Sequence, residues 1–221
     1  SAYSVSLPGD TNPVGSQSDV TTVLRACGGA IAVDLLGKNQ HKGVPPQVEA
    51  LDSATDLVTF TIGGNDAGFS SVLEFCAMPH LSGDCQDHEY KKLTSGKNLT
   101  LGEFVDVRKA LLGIDLTSTY RTLRTAAPNA SILTSDYPYL LPDNTSGSCA
   151  IEKVYSKGER TWVRSQENDL AAVIKLSAAQ AGIHEVSIVD RFDGREPCGG
   201  KKDDWLYGFE YDLKAQHTDD E

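Results

Sequence analysis

Residues 58–69 read VTFTIGGNDAGF, an apolar run that ends on two glycines and a polar pair. Apolar and β-branched residues are typical of a buried strand. Gly63 and Gly64 end the strand, and Asn65 and Asp66 follow them. Ligands of parallel α/β sheets bind at the carboxyl ends of the strands. The stretch therefore predicts a buried strand whose end presents an amide side chain at the edge of a site.

Short apolar runs alternate with helical patterns along the rest of the chain. Four runs are expected to be buried parallel strands, over residues 20–24, 57–62, 131–135 and 186–189. Helices are predicted between them, over residues 31–36, 104–125 and 159–181. This order predicts a single α/β domain over residues 1–221, with a parallel sheet covered by helices on both faces.

Composition and charge argue against several classes of function. The chain has 221 residues, of which 39% are hydrophobic and 23% are charged, as in an ordinary globular protein. A net charge of −11 disfavours nucleic acid and anionic membrane surfaces, both of which attract basic proteins. No apolar run approaches the roughly 20 residues of a membrane span. Because the chain begins at Ser1 and carries no signal peptide, we expect a processed or trimmed product.

The five cysteines predict disulfides rather than a metal site. None forms a CxxC pair and no histidines cluster with them, so no bound metal is expected. Cys76 and Cys85 flank a short loop and are expected to form a small disulfide loop. Cys149 and Cys198 lie in loops rich in small and polar residues and are also predicted to be disulfide-bonded. Cys27 is then left without a partner.

Three N-x-S/T sequons add to the cysteine pattern. They begin at Asn98, Asn129 and Asn144, which are therefore candidate glycosylation sites. Each tripeptide is weak support alone, but together with loop cysteines the sequons favour a secreted protein.

Asn65 and Gly29 are the candidate catalytic residues that the local sequence suggests. An amide held rigidly at a strand end can donate a hydrogen bond to a developing oxyanion. Gly29 follows the predicted strand over residues 20–24, and its backbone N–H can point to the same place. Gly64 permits close backbone approach and is a candidate substrate-binding position. The alternative is that this Gly-Asn-Asp cluster forms an ordinary turn, with Asp66 as a turn or helix cap.

Several segments together resemble the SGNH (GDSL-type) hydrolases, and more closely their secreted actinobacterial and fungal lipase-esterase branch. DLVTFTIGGNDAGF at residues 56–69 resembles block III of that family. ACGGA at residues 26–30 resembles the element that supplies its backbone oxyanion donor. The resemblance runs from about residue 25 to residue 205 and is most specific in block III. It includes the segments GVPPQVEAL at 43–51, ILTSDYPYL at 132–140 and VDRFDGREPCGGKKDDW at 189–205, with Arg195 where the family usually has His.

The resemblance implies a fold and a mechanism. The fold would be a three-layer α/β/α sandwich of the flavodoxin-like type, with a five-stranded parallel sheet. The mechanism would be ester hydrolysis by a Ser nucleophile and a His base, without a cofactor. Asn65 and Gly29 match the oxyanion-hole Asn and Gly. His217 falls near the position of the catalytic His, although Thr218 follows it instead of Pro and Lys214 stands where Asp is frequent.

The nucleophile segment of the family, Gly-Asp-Ser in block I, is not found in this chain. In one interpretation GDTNPVG at residues 9–15 is a degenerate block I, with Thr11 in the Ser position. In the other, which we favour, block I lies upstream of Ser1 and the chain lacks the first strand. The family cysteine equivalent to Cys27 pairs with one shortly after block I, so an upstream block I explains the unpaired thiol. A separate N-terminal segment would then complete the fold, and the last helix would be incomplete as well.

Two functional classes follow from these observations. The first is a secreted carboxylic-ester hydrolase, an esterase or lipase, that acts on a small-molecule, lipid or glycan ester. The second is a catalytically inactive relative that binds a glycan or a lipid. A structural α/β domain without a site is the third option, but it does not explain why Gly29 and Asn65 would share one rim of the sheet. No nucleic acid partner and no stable membrane insertion are expected in any of these cases.

Overall fold

A parallel three-stranded sheet forms the centre of the protein. The computed structural model describes residues 20–37, 45–78, 83–92, 95–145, 149–199 and 205–206. Its main strands are β1 (Leu57–Phe60), β4 (Ser131–Ser135) and β5 (His184–Val186), in the order β1-β4-β5. A second, antiparallel pair consists of β2 (Glu89–Lys92) and β3 (Asn98–Thr100). The predicted α/β class with a parallel sheet is confirmed.

Four α-helices accompany the strands within the described residues. They are α1 (Gly64–Ala67), α2 (Phe69–Cys76), α3 (Leu101–Ala126) and α4 (Lys157–Ala181). Each long helix begins at a capping box, in which a hydroxyl and a Glu side chain satisfy the free N–H groups of the first turn. The boxes pair Thr100 with Glu103 in α3, and Ser156 with Glu159 in α4. These caps place both helix starts a few residues before the first predicted helical residue.

The two long helices pack on one face of the sheet. Val58 lies opposite Ile132 and Phe60 lies opposite Thr134 in the β1–β4 register, so these side chains share that face. The ring of Phe60 meets that of Tyr120 on α3 edge to face, with ring centroids 5.3 Å apart. Buried leucines and isoleucines of α3 and α4 complete this core. Burial of this apolar surface is the main contribution to the stability of the sheet.

The opposite face of the sheet is largely exposed among the described residues. Leu57 on β1 and Val186 on β5 are 47% and 48% exposed. Leu133, on the same face, is only partly buried. The second helical layer predicted for the sandwich is therefore not found in the described part of the chain. None of the described helices is long and apolar enough to cross a bilayer.

The strand predicted over residues 20–24 is wrong. These residues form no strand, and Val23 and Leu24 are more than half exposed. A short apolar run forms a strand only where a neighbouring strand pairs with its backbone, and the run itself cannot specify that neighbour. The last predicted strand, over residues 186–189, is also displaced, because the neighbouring strand again decides which residues pair. His184–Val186 pairs with β4, whereas Val189–Arg191 forms a 3₁₀ turn.

The other predicted elements need only smaller corrections. Residues 31–36 form the 3₁₀ helix Ala32–Leu35 rather than an α-helix. The predicted stop of α4 is present, because Gly182 adopts the left-handed conformation at φ 68°. Residues 1–19, including Thr11 in the block I alternative, lie outside the described residues, as do Lys214 and His217.

The disulfides agree with the prediction. Cys76 is bonded to Cys85 and Cys149 to Cys198, while Cys27 is a free thiol. The first disulfide lies in a second apolar core beside the start of α3. Cys76, Cys85 and Glu159 also lie close enough together to resemble a metal site. Because both cysteines are consumed by the disulfide, this cluster offers no thiolate ligand.

Buried carboxylates join the ends of the elements. Asp136, directly after β4, accepts hydrogen bonds from Ser187 Oγ at 2.6 Å and from the backbone N–H of Ile188 at 2.6 Å. Glu196 is 1% exposed and accepts from Arg164 Nη1 of α4 at 2.6 Å. These contacts fix the segments after β4 and β5 against the sheet and α4.

We expect Arg164→Ala to lower the free energy of unfolding by about 3–5 kcal/mol, because it leaves the Glu196 carboxylate buried without its cation. Urea denaturation of the purified variant measures this change. Lys97→Ala is the matched control, since it removes the cation of an exposed pair with Glu103 and should change stability little. Equal losses in the two variants would contradict this account of Glu196.

Candidate functional site

The turn after β1 requires glycine for two different reasons. Gly63 has φ 116°, a left-handed backbone conformation that residues with a Cβ rarely adopt. At Gly64 the obstacle is space, since a Cβ there would lie 3.0 Å from Cζ of Tyr137. The N–H of Gly64 donates to the Tyr137 hydroxyl at 3.1 Å. The glycine pair thus lets the chain pass from β1 into α1 in close contact with the segment after β4.

The two glycine-rich segments lie together, as the sequence predicted. Asn65 Nδ2 donates to the carbonyl oxygen of Ala30 at 3.0 Å, which places the Asn65 amide beside the residue that follows Gly29. Gly29 itself has φ 74°, so this position also favours glycine. Gly29 and Asn65 are both exposed. The sequence predicted this proximity from two strand ends, but hydrogen bonds between the segments provide it instead.

The Asn65 side chain is held in place and still has hydrogen-bonding capacity. A side-chain amide nitrogen carries two hydrogens, and the bond to Ala30 uses one of them. The bond also fixes which way the amide faces. An exposed, oriented amide donor next to a glycine backbone is an arrangement that can stabilise negative charge on a substrate oxygen.

Asp66 ties the two segments together. Its carboxylate accepts from the N–H of Ala32 at 3.0 and 3.1 Å through its two oxygens. Burial raises the pKa of the Asp66 carboxyl, although the Ala32 N–H and the Arg108 guanidinium act in the opposite direction. The expected role as a turn or helix cap is thus replaced by a contact 34 residues away in sequence.

Arg108 of α3 is a residue that the sequence did not single out. Its Nε donates to the carbonyl oxygen of Asp66, and its Nη2 donates to that of Asn65 at 3.4 Å. Its guanidinium also lies over the ring of Phe104, 5.5 Å from the centroid. Arg108 therefore holds the backbone of α1 against α3. Nothing in its helical pattern distinguishes it from an ordinary surface arginine.

A pocket of about 160 Å³ lies directly beside Asn65. It is lined by polar groups and by apolar side chains, namely Asn65, Ser70, Tyr137, Phe69, Leu140 and Leu170. Burial raises the pKa of the Tyr137 hydroxyl, so this group stays protonated at neutral pH. The pocket has a mainly apolar wall and a few polar groups, the usual character of a small-molecule site.

Glu167 of α4 also lines this pocket. Its side chain is buried, at 3% exposed, and Oε1 accepts from the N–H of Leu140 at 3.0 Å. Oε2 is buried and has no hydrogen-bond partner among the described residues. Burial raises the pKa of Glu167 to about 8, against the opposing effects of the Leu140 N–H and of Arg164. Burial therefore favours the neutral, protonated form of the Glu167 carboxyl group.

The sequence contains a signal for Glu167 that lies outside the recognised motifs. Val163, Leu170 and Ile174 form the buried stripe of α4, and Glu167 lies on that stripe at helical spacing. An acidic residue on an apolar helix face is unusual, because burial of a charge is costly.

The remaining predicted site residues are distributed as follows. His217 lies outside the described residues. Asn98, Asn129 and Asn144 are all exposed, as N-glycosylation would require. Arg195, which replaces the usual His, has its guanidinium over the ring of Trp205, 4.7 Å from the centroid.

The comparisons with known proteins identify the family. Residues 8–215 match the GDSL-like lipase/acylhydrolase family, and the chain belongs to this family. The predicted resemblance to SGNH (GDSL-type) hydrolases is thereby confirmed. Lipase 2 of Streptomyces coelicolor is 28% identical over 186 residues, which cover 81% of this chain and 59% of that protein. A lipase of Streptomyces rimosus is 29% identical over 185 residues, which cover 82% of this chain and 58% of that lipase.

Two solved structures share the fold. The extracellular lipase of Streptomyces rimosus superimposes with a TM-score of 0.60 at 28% identity, over 82% of this chain and 66% of that structure. Phospholipase A1 of Streptomyces albidoflavus superimposes with a TM-score of 0.61 at 30% identity, over 84% of this chain and 67% of that structure. The chain thus spans a little under three fifths of the two lipase sequences.

We expect Glu167→Gln to reduce the pH dependence of stability. Between about pH 4.5 and about pH 8 folded Glu167 keeps a proton that the unfolded chain releases, so rising pH favours unfolding. This one group should lower the free energy of unfolding by roughly 1 kcal/mol per pH unit in that window. Glutamine carries no titratable proton. The free energy of unfolding of Glu167→Gln should therefore fall less steeply with rising pH than that of the parent, by that amount per pH unit.

Urea denaturation at several pH values between 5 and 8 provides the measurement. Glu74→Gln on the exposed side of α2 is the matched control and should retain the pH dependence of the parent. Arg164 and Glu196, the charged groups that act on Glu167, remain in both variants. Parallel curves for the parent and Glu167→Gln would show that Glu167 does not hold a proton in the folded protein.

Proposed function

We propose that this chain is part of a carboxylic-ester hydrolase, in which Asn65 and Gly29 form the oxyanion hole. The observation that carries the proposal is the hydrogen bond from Asn65 Nδ2 to Ala30, which holds the amide beside the Gly29 segment. During acyl transfer the carbonyl oxygen of an ester becomes negatively charged. Oriented N–H donors stabilise that charge in the transition state more than the neutral ester in the ground state.

The nucleophile and the base complete the proposed mechanism. A Ser hydroxyl attacks the carbonyl carbon, and the imidazole of His217 accepts the hydroxyl proton and later delivers it to the leaving alcohol. Because residues 1–221 contain no Gly-Asp-Ser, the nucleophile of the proposed mechanism is either a Ser of a block I outside these residues or Thr11, which lies within the family match. Family membership supports the reaction class. His217 lies beyond the matched residues 8–215, so its role rests on the sequence resemblance alone.

Secretion and ester substrates extend the proposal. Two disulfides are typical of proteins that fold in an oxidising compartment, and one structural neighbour is described as an extracellular lipase. The exposure of Asn98, Asn129 and Asn144 is compatible with glycosylation in a secretory pathway. Lipases and a phospholipase among the relatives favour small-molecule or lipid esters, with glycan esters as a further class.

The absence of Gly-Asp-Ser from residues 1–221 favours a second candidate function. In this alternative the protein binds a lipid or glycan ester without hydrolysing it. The oxyanion donors would then act only as hydrogen-bond donors to a carbonyl group.

Asn65→Ala should lower kcat by about 100-fold to 1,000-fold, because one oxyanion donor contributes about 3–4 kcal/mol in the transition state. Hydrolysis of p-nitrophenyl acetate and p-nitrophenyl butyrate provides the assay. It is run on the chain and on a longer form that includes any coding sequence upstream of Ser1. We expect hydrolysis in the longer form, since block I is expected there.

Asn144→Ala is the control, since Asn144 is exposed and its amide contacts only the neighbouring Asp143 side chain among the described hydrogen bonds. This variant should hydrolyse both esters at the parental rate. Full activity of Asn65→Ala would refute the oxyanion role of Asn65. A lack of hydrolysis in both forms of the protein would refute the esterase and leave the binding protein.

A further inference from the structure

A groove of about 780 Å³ lies between the outer sides of α3 and α4 and shares no residue with the pocket beside Asn65. Both of its rims are apolar. Ile114 on α3 is 70% exposed and Leu176 on α4 is 63% exposed. One and two turns before Ile114, Leu111 and Val107 are 59% and 51% exposed. The outer face of a surface helix is normally polar, so an apolar patch here indicates a surface that another molecule covers.

The groove is also the basic part of an acidic protein. The chain carries a net charge of −11, yet none of the described residues that line the groove is acidic. Two of the lining residues are Lys109 and Arg121. Lys109 forms ion pairs with Asp106 and Asp169. Arg121 has no ion pair among the described residues, and its Nη2 donates to the neutral Gln180 carbonyl oxygen at 3.4 Å. The groove therefore favours a partner that carries both apolar and acidic groups.

A second copy of α3 carries these groups at the required positions. Glu103 and Arg121 are separated by five full helical turns, so they lie on the same side of α3. Ala110 and Ile114 lie between them on that side. Residue 112 is the midpoint of both pairs. A two-fold axis at that level sets Glu103 of one copy opposite Arg121 of the other, and the large Ile114 opposite the small Ala110.

The dimensions of this surface are sufficient for a weak, specific dimer. Five helical turns span about 27 Å, and two helices packed side by side are about 20 Å wide. Burial of such a strip on each of two copies removes roughly 1,000 Å² in total from solvent, which is the lower end of the range for specific interfaces. The Glu103 side chain is 47% exposed, so its carboxylate can accept a further hydrogen bond from an arginine.

We propose that the outer face of α3 and α4 is the interface of a homodimer. The apolar side chains of Ile114, Leu111 and Leu176 form its centre, and an ion pair between Glu103 and Arg121 closes each end. The same surface is used by both copies, so association stops at the dimer. This inference goes beyond the proposed function and does not depend on ester hydrolysis, because none of the groove residues lines the pocket beside Asn65.

Sedimentation velocity of the chain over a range of concentrations tests the dimer. We expect a reversible equilibrium between monomer and dimer, with a Kd in the micromolar range and no larger species. Ile114→Glu should raise this Kd at least tenfold, because it places a charge in the apolar centre of the interface. Val23→Glu is the matched control, since Val23 is 59% exposed but does not line the groove, and it should associate as the parent does.

Two charge reversals test the antiparallel arrangement. Glu103→Arg and Arg121→Glu each bring like charges together at both ends of the dimer, so each variant alone should associate about tenfold more weakly than the parent. An equimolar mixture of the two variants pairs opposite charges at both ends and should recover the parental Kd. Glu103→Arg also removes half of the α3 capping box, so thermal unfolding is measured separately for each variant.

Three results would overturn the inference. They are a monomer at every concentration, a dimer that Ile114→Glu does not weaken, and a mixture of the charge variants that stays monomeric. A monomer that binds vesicles of phosphatidylcholine and phosphatidylglycerol, and loses that binding in Ile114→Glu, would assign the face to a lipid surface instead.

Discussion

The left-handed backbone at Gly63 is the constraint on which the site depends. It lets the chain turn from β1 into α1 over residues 61–63, so that Asn65 and Asp66 contact the segment around Ala30. Any residue with a Cβ would be strained at φ 116°. The turn would then open. The contact between Gly64 and Tyr137 would be lost together with the hydrogen bonds to Ala30 and Ala32.

Carboxylates connect several distant segments of this acidic protein through hydrogen bonds and ion pairs. Asp66 binds the segment that follows Gly29, Asp136 binds the segment after β5, and Glu196 binds Arg164 on α4. In each case N–H, O–H or guanidinium donors satisfy the carboxylate, which offsets the cost of its burial. Glu167 differs, because one of its oxygens has no donor among the described residues and its pKa is raised to about 8.

Family membership and local geometry support the proposed function from different parts of the chain. The family match covers residues 8–215, whereas the hydrogen bond from Asn65 to Ala30 supports the proposed oxyanion hole at Gly29 and Asn65. The chain spans under three fifths of the Streptomyces lipases that it resembles. Activity of the whole protein is for this reason a proposal.

The sequence by itself determined the strands β1 and β4, the two long helices, the disulfide pairs and the family. These features depend on local periodicity, on caps such as Thr100 and Ser156, and on residues adjacent in the chain. Only the tertiary structure decided that residues 20–24 form no strand, that Asp66 binds Ala32, and that one oxygen of the buried Glu167 has no partner among the described residues. Strand pairing, burial and the partner of a carboxylate depend on residues distant in sequence, and no local pattern specifies which of them will meet.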